Sequence, residues 1–127
     1  MSTATLTPGA LKVALANVDT GGGVVSLANP EGVDVIITRL TLDITTAATA
    51  SCTLDAGVAS TATTSSDNLI DGLDVNSAAG VFDNITDGGT NGKSRQRWES
   101  DYYLTISVAS GASAGLAGNA YIEYIHV

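Results

Sequence analysis

The apolar positions of this chain fall largely at every second residue, which is the period of a strand. The longest run of β-branched and aliphatic residues is Val33–Thr45, bounded by Gly32 and by Ala47-Ala48. Sorted by parity, Ile36, Leu40, Leu42 and Ile44 share one face with Thr38, and Arg39, Thr41 and Asp43 take the other. Its start, Val33, Val35 and Ile37, makes both sides apolar. The pattern predicts a strand buried on both faces at its beginning and wetted on one face later, as at the centre of an antiparallel sandwich.

The flanking segments follow the same rule. Leu11, Val13 and Leu15 alternate within Ala10–Val18, Asp19–Gly23 reads as a turn, and Val24–Ala28 reads as a short strand. Asn29-Pro30-Glu31-Gly32 is a strong turn signal. Ser51–Val58 sets Cys52 and Leu54 against Thr53 and Asp55, and Val81–Thr86 is a further short strand. Asn68–Val75 fits either a strand broken at Gly72 or one helical turn followed by extended chain, and the reading leans to the helical turn. Ala59–Asp67 is rich in Ser, Thr and Ala, and the loops from Ala59 to Lys93 are not legible in detail. Near the C-terminus, Tyr102, Leu104, Ile106 and Val108 alternate with Tyr103, Thr105, Ser107 and Ala109. After the small-residue turn Ser110–Gly118, Ala120, Ile122, Tyr124 and His126 alternate with Tyr121, Glu123, Ile125 and Val127. Two such runs around a glycine-containing turn predict a hairpin. The expectation is an all-β, antiparallel, jelly-roll-like sandwich of about eight strands over residues 10–127. Residues 1–9, polar and closed by Pro8-Gly9, form a flexible N-terminal arm in this reading.

Composition agrees with that class. The 127 residues suffice for one core, only 14% are charged, and 5% are aromatic. Strong helix formers are scarce beside Gly, Ser, Thr and Val. Thirteen acidic residues against five basic give a net charge of −8, which argues against phosphate backbones and anionic lipid as partners. Residues 1–9 have neither the basic region nor the apolar run of a signal peptide. No apolar run is long enough to span a bilayer as a helix. Cys52, the single cysteine, reads as a small buried hydrophobe rather than a reactive thiol.

Several motifs match known chemistry by letter only. Gly111-Ala-Ser-Ala-Gly115 fits the nucleophile-elbow pattern, but a strand follows where a helix belongs, and His126 is the only histidine. Asp87–Ser94 resembles a phosphate loop with a carboxylate at the position of its first glycine. Asp83–Gly88 begins like a calcium loop, yet Ile85 and Ser94 stand where oxygen ligands are needed. Asp67, Asp71, Asp74, Asp83 and Asp87 either converge on one hard cation or bond their own turns, and the second is the expectation. Asn84-Ile-Thr86 is a glycosylation sequon by letters alone. Arg95, Arg97, Trp98, Tyr102 and Tyr103 form the one basic-aromatic cluster, and these residue types dominate protein interfaces. Salt bridges to the chain's own acids around a core Trp would explain the cluster equally well. No catalytic residue, metal or cofactor is expected.

The central strand running into Asp-Ile-Thr-Thr-Ala-Ala-Thr-Ala, the segment Ser66–Val75, Asn91-Gly-Lys-Ser94 and the terminal Ala-Tyr-Ile-Glu-Tyr-Ile together carry a resemblance. The chain resembles small virion proteins of tailed bacteriophages, among them head decoration (capsid cement) proteins. The resemblance covers most of residues 10–127 as overall texture, with no motif tied to a chemical step. It implies a non-enzymatic protein made in the host cytoplasm and located on the capsid exterior. It implies two partners, the chain itself as a homotrimer and the major capsid protein, with neither nucleic acid nor membrane. The alternative is a jelly-roll module that binds carbohydrate or calcium through its Asp/Asn loops.

Overall fold

A computed structural model describes residues 9–15 and 23–127. Among these residues there is no helix, and nine strands form two antiparallel sheets packed face to face. In chain order the strands are β1 (Ala10–Ala14), β2 (Val25–Ala28), β3 (Val35–Thr46), β4 (Cys52–Ala59), β5 (Ile70–Asp74), β6 (Gly80–Asp83), β7 (Gln96–Trp98), β8 (Tyr103–Gly111) and β9 (Ala117–His126). Sheet one has the order β1-β9-β3-β6, with β7 also paired to β3, and sheet two has the order β2-β8-β4-β5. With β7 set aside, the strands pair from the ends inward: β1 with β9, β2 with β8, β3 with β6 and β4 with β5. That is one long antiparallel ribbon rolled upon itself, the jelly-roll winding. The described residues bear out the all-β sandwich. The proposed arm, Met1–Gly9, and most of the Asp19–Gly23 turn lie outside them, apart from Gly9 and Gly23. The Gly9 carbonyl accepts the Tyr124 N–H at 2.7 Å, so pairing along β9 begins before β1.

Alternating side chains fill the space between the sheets. Val35, Ile37, Leu40, Leu42 and Ile44 of β3 point inward, as do Ala120, Ile122 and Tyr124 of β9. Across the core stand Cys52, Leu54, Ala56 and Val58 of β4, with Leu104 and Ile106 of β8. One prediction fails inside β3. Ile36 does not share the face of Leu40, because the parity slips at Thr38. Ile37 lies opposite Tyr124 but Arg39 lies opposite Glu123, so Thr38 is an extra residue. This β-bulge lets Val35 and Ile37 point inward with Leu40, at the cost of one unpaired residue. The Thr38 hydroxyl donates to the Glu123 carbonyl at 3.2 Å.

Two further expectations are corrected. Asn68–Val75 contains no helical turn: Ile70–Asp74 is a strand with a bulge. Leu54 faces Leu73 and Ala56 faces Ile70, so Asp71 and Gly72 together oppose Asp55. Gly72 has φ +76°, a conformation that glycine adopts without steric cost, and its N–H donates to Asp55 Oδ1 at 2.9 Å. The bulge brings Leu69, Ile70, Leu73 and Val75 all into the core. Secondly, β8 and β9 are not a hairpin. The segment Ala112–Leu116 crosses from sheet two to sheet one, and each strand pairs with other partners.

Candidate functional site

The predicted basic-aromatic cluster runs from Arg95, just before β7, through Arg97 and Trp98 of β7 to Tyr102 and to Tyr103, the first residue of β8. Ile36 pairs with Arg97 and Val35 with Trp98 in register, so alternation turns Arg97 outward and Trp98 inward. Trp98 is 0% exposed, and its indole N–H donates to the Tyr102 carbonyl at 3.1 Å. It anchors the core and offers no surface. Arg97 is exposed and meets Asp34 at 3.4 Å, while Asp34 Oδ1 accepts the Ser100 N–H at 2.9 Å. Arg95 is exposed, and Tyr102 and Tyr103 are half-buried. The structure therefore joins Trp98 to Tyr102, sets Tyr103 in sheet two opposite Ala28 and Ala59, and leaves only the arginines well exposed.

The carboxylates that suggested a cation site accept hydrogen bonds within the chain, Asp67 from a side chain and the other four from backbone donors. Asp83 Oδ1 accepts from Ile85 and Thr86, and Asp87 Oδ2 accepts the Asp83 N–H. Asp74 accepts the Ser77 hydroxyl and also caps Asn76 and Ser77 through their N–H groups, bonds that in this order hold its carboxyl below the usual range. Asp71 and Asp67 accept from the backbone and side chain of Asn91 respectively. Burial raises the Asp55 carboxyl; the Gly72 N–H works against this, and the charges of Asp71 and Asp67 add to it. No group of three His, Cys, Asp or Glu side chains among the described residues is arranged to hold a metal.

Neither nucleophile candidate is placed for chemistry. Burial, and next the charge of Asp74, push the Cys52 thiol up, away from the thiolate that reacts. Ser113 is buried in the sheet-crossing segment. The ten residues of β9 set His126 about 30 Å from that end of the molecule at ordinary strand rise. Asn84 is buried as well, with its amide engaged on both sides. Its Oδ1 accepts the Leu40 N–H at 2.8 Å, and its Nδ2 donates to the Lys93 carbonyl at 2.8 Å. It closes the gap along β3 between β7 and β6, a structural role the sequon letters did not suggest.

One ionisable cluster escaped the sequence. At the His126 end of sheet one, the Tyr124 hydroxyl donates to Glu31 Oε2 at 2.5 Å, and His126 Nε2 lies 3.3 Å from Glu31 Oε1. The two rings stand 6.3 Å apart. Burial first, then the hydrogen bond and charge of Glu31, push the Tyr124 phenol up to about 12, so it stays protonated at neutral pH. Glu31 is positioned by Asn29, whose Oδ1 accepts the N–H groups of Glu31 and Gly32 while its Nδ2 donates to the Trp98 carbonyl. The trio clamps the β2–β3 turn onto the end of β9. Alternation had placed Tyr124 and His126 on one face; only the β3–β9 register brings Glu31 beside them.

Membrane-spanning helices are absent from the described residues. Compared with known proteins, the chain matches no family model, no curated protein and no solved structure, so the likeness to phage decoration proteins rests on the sequence segments alone.

Proposed function

We propose that this chain is a non-enzymatic structural protein of a tailed-phage virion, a decoration or cement protein that self-associates, as a trimer, and adds to the outer surface of an assembled shell. The observation that carries the reading is where the polar side chains go. The groups that could have moved protons or held an ion, Asp74, Asp83, Asp87, Glu31 and Tyr124, instead fasten turns and strand ends of a rolled ribbon. A rigid body held in this way suits repeated passive contact. Fold alone does not assign function; the sequence texture supplies the direction and the side-chain assignments agree with it. The test is binding of the purified full chain to expanded phage heads that lack a decoration protein. Saturable binding with increased resistance of the heads to disruption is expected, and no binding overturns the reading.

No observation favours the carbohydrate- or calcium-binding alternative. Trp98 lies inside and offers no stacking platform for a sugar ring. The loop carboxylates already accept backbone hydrogen bonds. A melting temperature raised by calcium would revive it.

A further inference from the structure

Among the asparagines of the chain only Asn91 is followed by glycine. Asparagine is a chemically labile residue, and its weak point is the amide nitrogen of the next residue, which attacks the side-chain carbonyl carbon. Glycine, having no Cβ, leaves that nitrogen least hindered. Asn91 is exposed, so water reaches the pair.

The segment Gly88–Lys93 gives this pair a place in the fold. β5 is the last strand of sheet two, and the segment covers the edge it turns away from β4. The Asp71 N–H donates to the Gly88 carbonyl at 2.9 Å, and the Lys93 N–H donates to the Asn68 carbonyl at 2.9 Å. Asn91 sits between these two bonds. Its own N–H donates to Asp71 Oδ2 at 3.2 Å, and its Nδ2 donates to Asp67 Oδ2 at 2.9 Å. The Gly92 N–H donates to the Gly88 carbonyl at 3.2 Å. Gly92 is also required by the fit, because a Cβ there would lie 2.2 Å from the Gly88 oxygen and 2.4 Å from the Leu69 oxygen. The same glycine that lets the segment dock thus leaves its nitrogen open to reaction. While the segment is docked, Asp67 holds the Asn91 amide and Gly88 holds the attacking nitrogen. Gly89, Thr90, Asn91 and Lys93 are exposed, so hydrogen bonds and not apolar burial hold the segment down. A region of that kind opens before the core does.

We propose that Asn91–Gly92 is a self-modification site at which the opening of this segment sets the rate. In the opened segment the Gly92 nitrogen bonds to Asn91 Cγ, the Cγ–Nδ2 bond breaks, and Nδ2 leaves as ammonia with the proton from Gly92. Water then opens the cyclic imide to aspartate or to its isomer, in which the main chain runs through the side-chain carbon. Neither product docks as asparagine does. Aspartate turns a carboxylate towards Asp67 where a donor stood. The isomer lengthens the main chain next to Gly92, which is pressed against the Gly88 and Leu69 oxygens. Loss of docking leaves the Asp71 N–H and the Asn68 carbonyl without partners, and an edge with unpaired groups is a template for another strand. Departure of ammonia makes the change one-way.

The test is incubation of the full chain in mildly alkaline buffer, with peptide mapping by mass spectrometry to locate each converted asparagine. Thermal melting of each variant verifies folding. Conversion is expected at Asn91 ahead of every other asparagine, and more slowly than in a free peptide of residues 87–95. Asp67→Ala, which releases the Asn91 amide, should convert about fivefold faster than the wild type. Converted chain should exchange the Asp71 amide hydrogen faster than unconverted chain. Should Asp67→Ala not fold, the comparison of folded chain with peptide and the exchange at Asp71 decide. Conversion first at another asparagine, or at the peptide's rate in the folded chain, overturns the proposal. So does an Asp67 variant that folds and converts no faster than the wild type, and so does unaltered exchange at Asp71 after conversion.

Discussion

The two sheets bury similar aliphatic faces against each other but treat their outer faces in different ways. Sheet one is left open, with Lys12, Arg39, Arg97 and Ile125 in solvent. Sheet two is roofed by its own chain. The segment between β4 and β5 folds back over it, so that the Ser26 hydroxyl donates to the Ala62 carbonyl at 2.8 Å and the Thr105 hydroxyl to the Thr64 carbonyl at 3.0 Å. Asn68 fastens the roof to β4: its Oδ1 accepts the Val58 N–H and its Nδ2 donates to the Val58 carbonyl. Thr105 consequently has 0% exposure although it sits on an outer face. A strand side chain can therefore be buried from either direction, and alternation reports only which face it occupies. Closing one side and leaving the other open gives the molecule one outer face whose strand side chains stand largely in solvent.

The largest predicted effect strikes sheet one at its seam. Asn84→Ala leaves the buried Leu40 N–H and the Lys93 carbonyl without partners, and each such loss costs about 1–3 kcal/mol. We expect a loss of about 2–4 kcal/mol in urea unfolding, with faster hydrogen exchange at Leu40 and at the β7 amides. An unchanged midpoint would mean that β6 and β7 hold to β3 without the plug.

The roof of sheet two is tested next. A Cβ at Gly57 would lie 2.4 Å from Asn68 Oδ1 and 2.9 Å from its backbone nitrogen, and overpacking of this kind costs about 1–3 kcal/mol. Gly57→Ala should therefore lift the roof and destabilise by about 2 kcal/mol, with exchange at Val58 accelerating before that of the core strands. Thr105→Val, which removes one hydroxyl bond and keeps the shape, should cost about 1 kcal/mol. If both variants melt like the wild type, the roof contributes nothing and the contrast between the sheets is cosmetic.

How much of this was legible depends on range. Alternation found the positions of β3, β4, β8 and β9 because each buries one face against the same core. It misassigned Ile36, because a single bulged residue at Thr38 reverses parity and leaves no local trace. Asn68–Val75 resembled a helical turn because helical spacing aligns Leu69 with Leu73 where strand spacing aligns Leu69 with Asp71; the bulge at Gly72 lets Leu69, Ile70 and Leu73 all be buried without a helix. The hairpin expected from β8 and β9 failed because a short glycine turn serves equally well to cross between sheets. The cluster of Glu31, Tyr124 and His126, and the pairing of Asn84 with Leu40, depend on register between distant segments, which no local pattern encodes. Within the basic-aromatic cluster, Trp98 as core and Arg97 as surface are told apart only by the register of β7 against β3.

The Glu31 clamp gives a pH-dependent prediction. Its phenol titrates near 12 in the folded chain against an ordinary 10.0. A raised value means that the folded state holds the proton more tightly, so the stabilisation is complete below pH 10 and is lost as the pH rises through about 12. Tyr124→Phe should cost about 1 kcal/mol at neutral pH, because a half-exposed carboxylate gives up one donor. Its melting temperature should then decline less steeply than that of the wild type across that alkaline window. Parallel declines would assign the alkaline loss to the other tyrosines.

The smallest predicted stability effect lies on the open face. Arg97 meets Asp34 at 3.4 Å with both side chains well exposed, and a pair of this kind contributes under about 0.5 kcal/mol because water and salt screen it. Arg97→Ala should accordingly leave the unfolding midpoint of the monomer within error, while Asp34 keeps its bond from the Ser100 N–H. The substitution thereby separates two roles that removal of Trp98 would merge. Trp98 holds the core and Arg97 does not, so any change in self-association of the Arg97 variant reports on contact between copies and not on folding. A marked fall in its midpoint would place Arg97 among the groups that hold sheet one together and would remove its use as a surface probe.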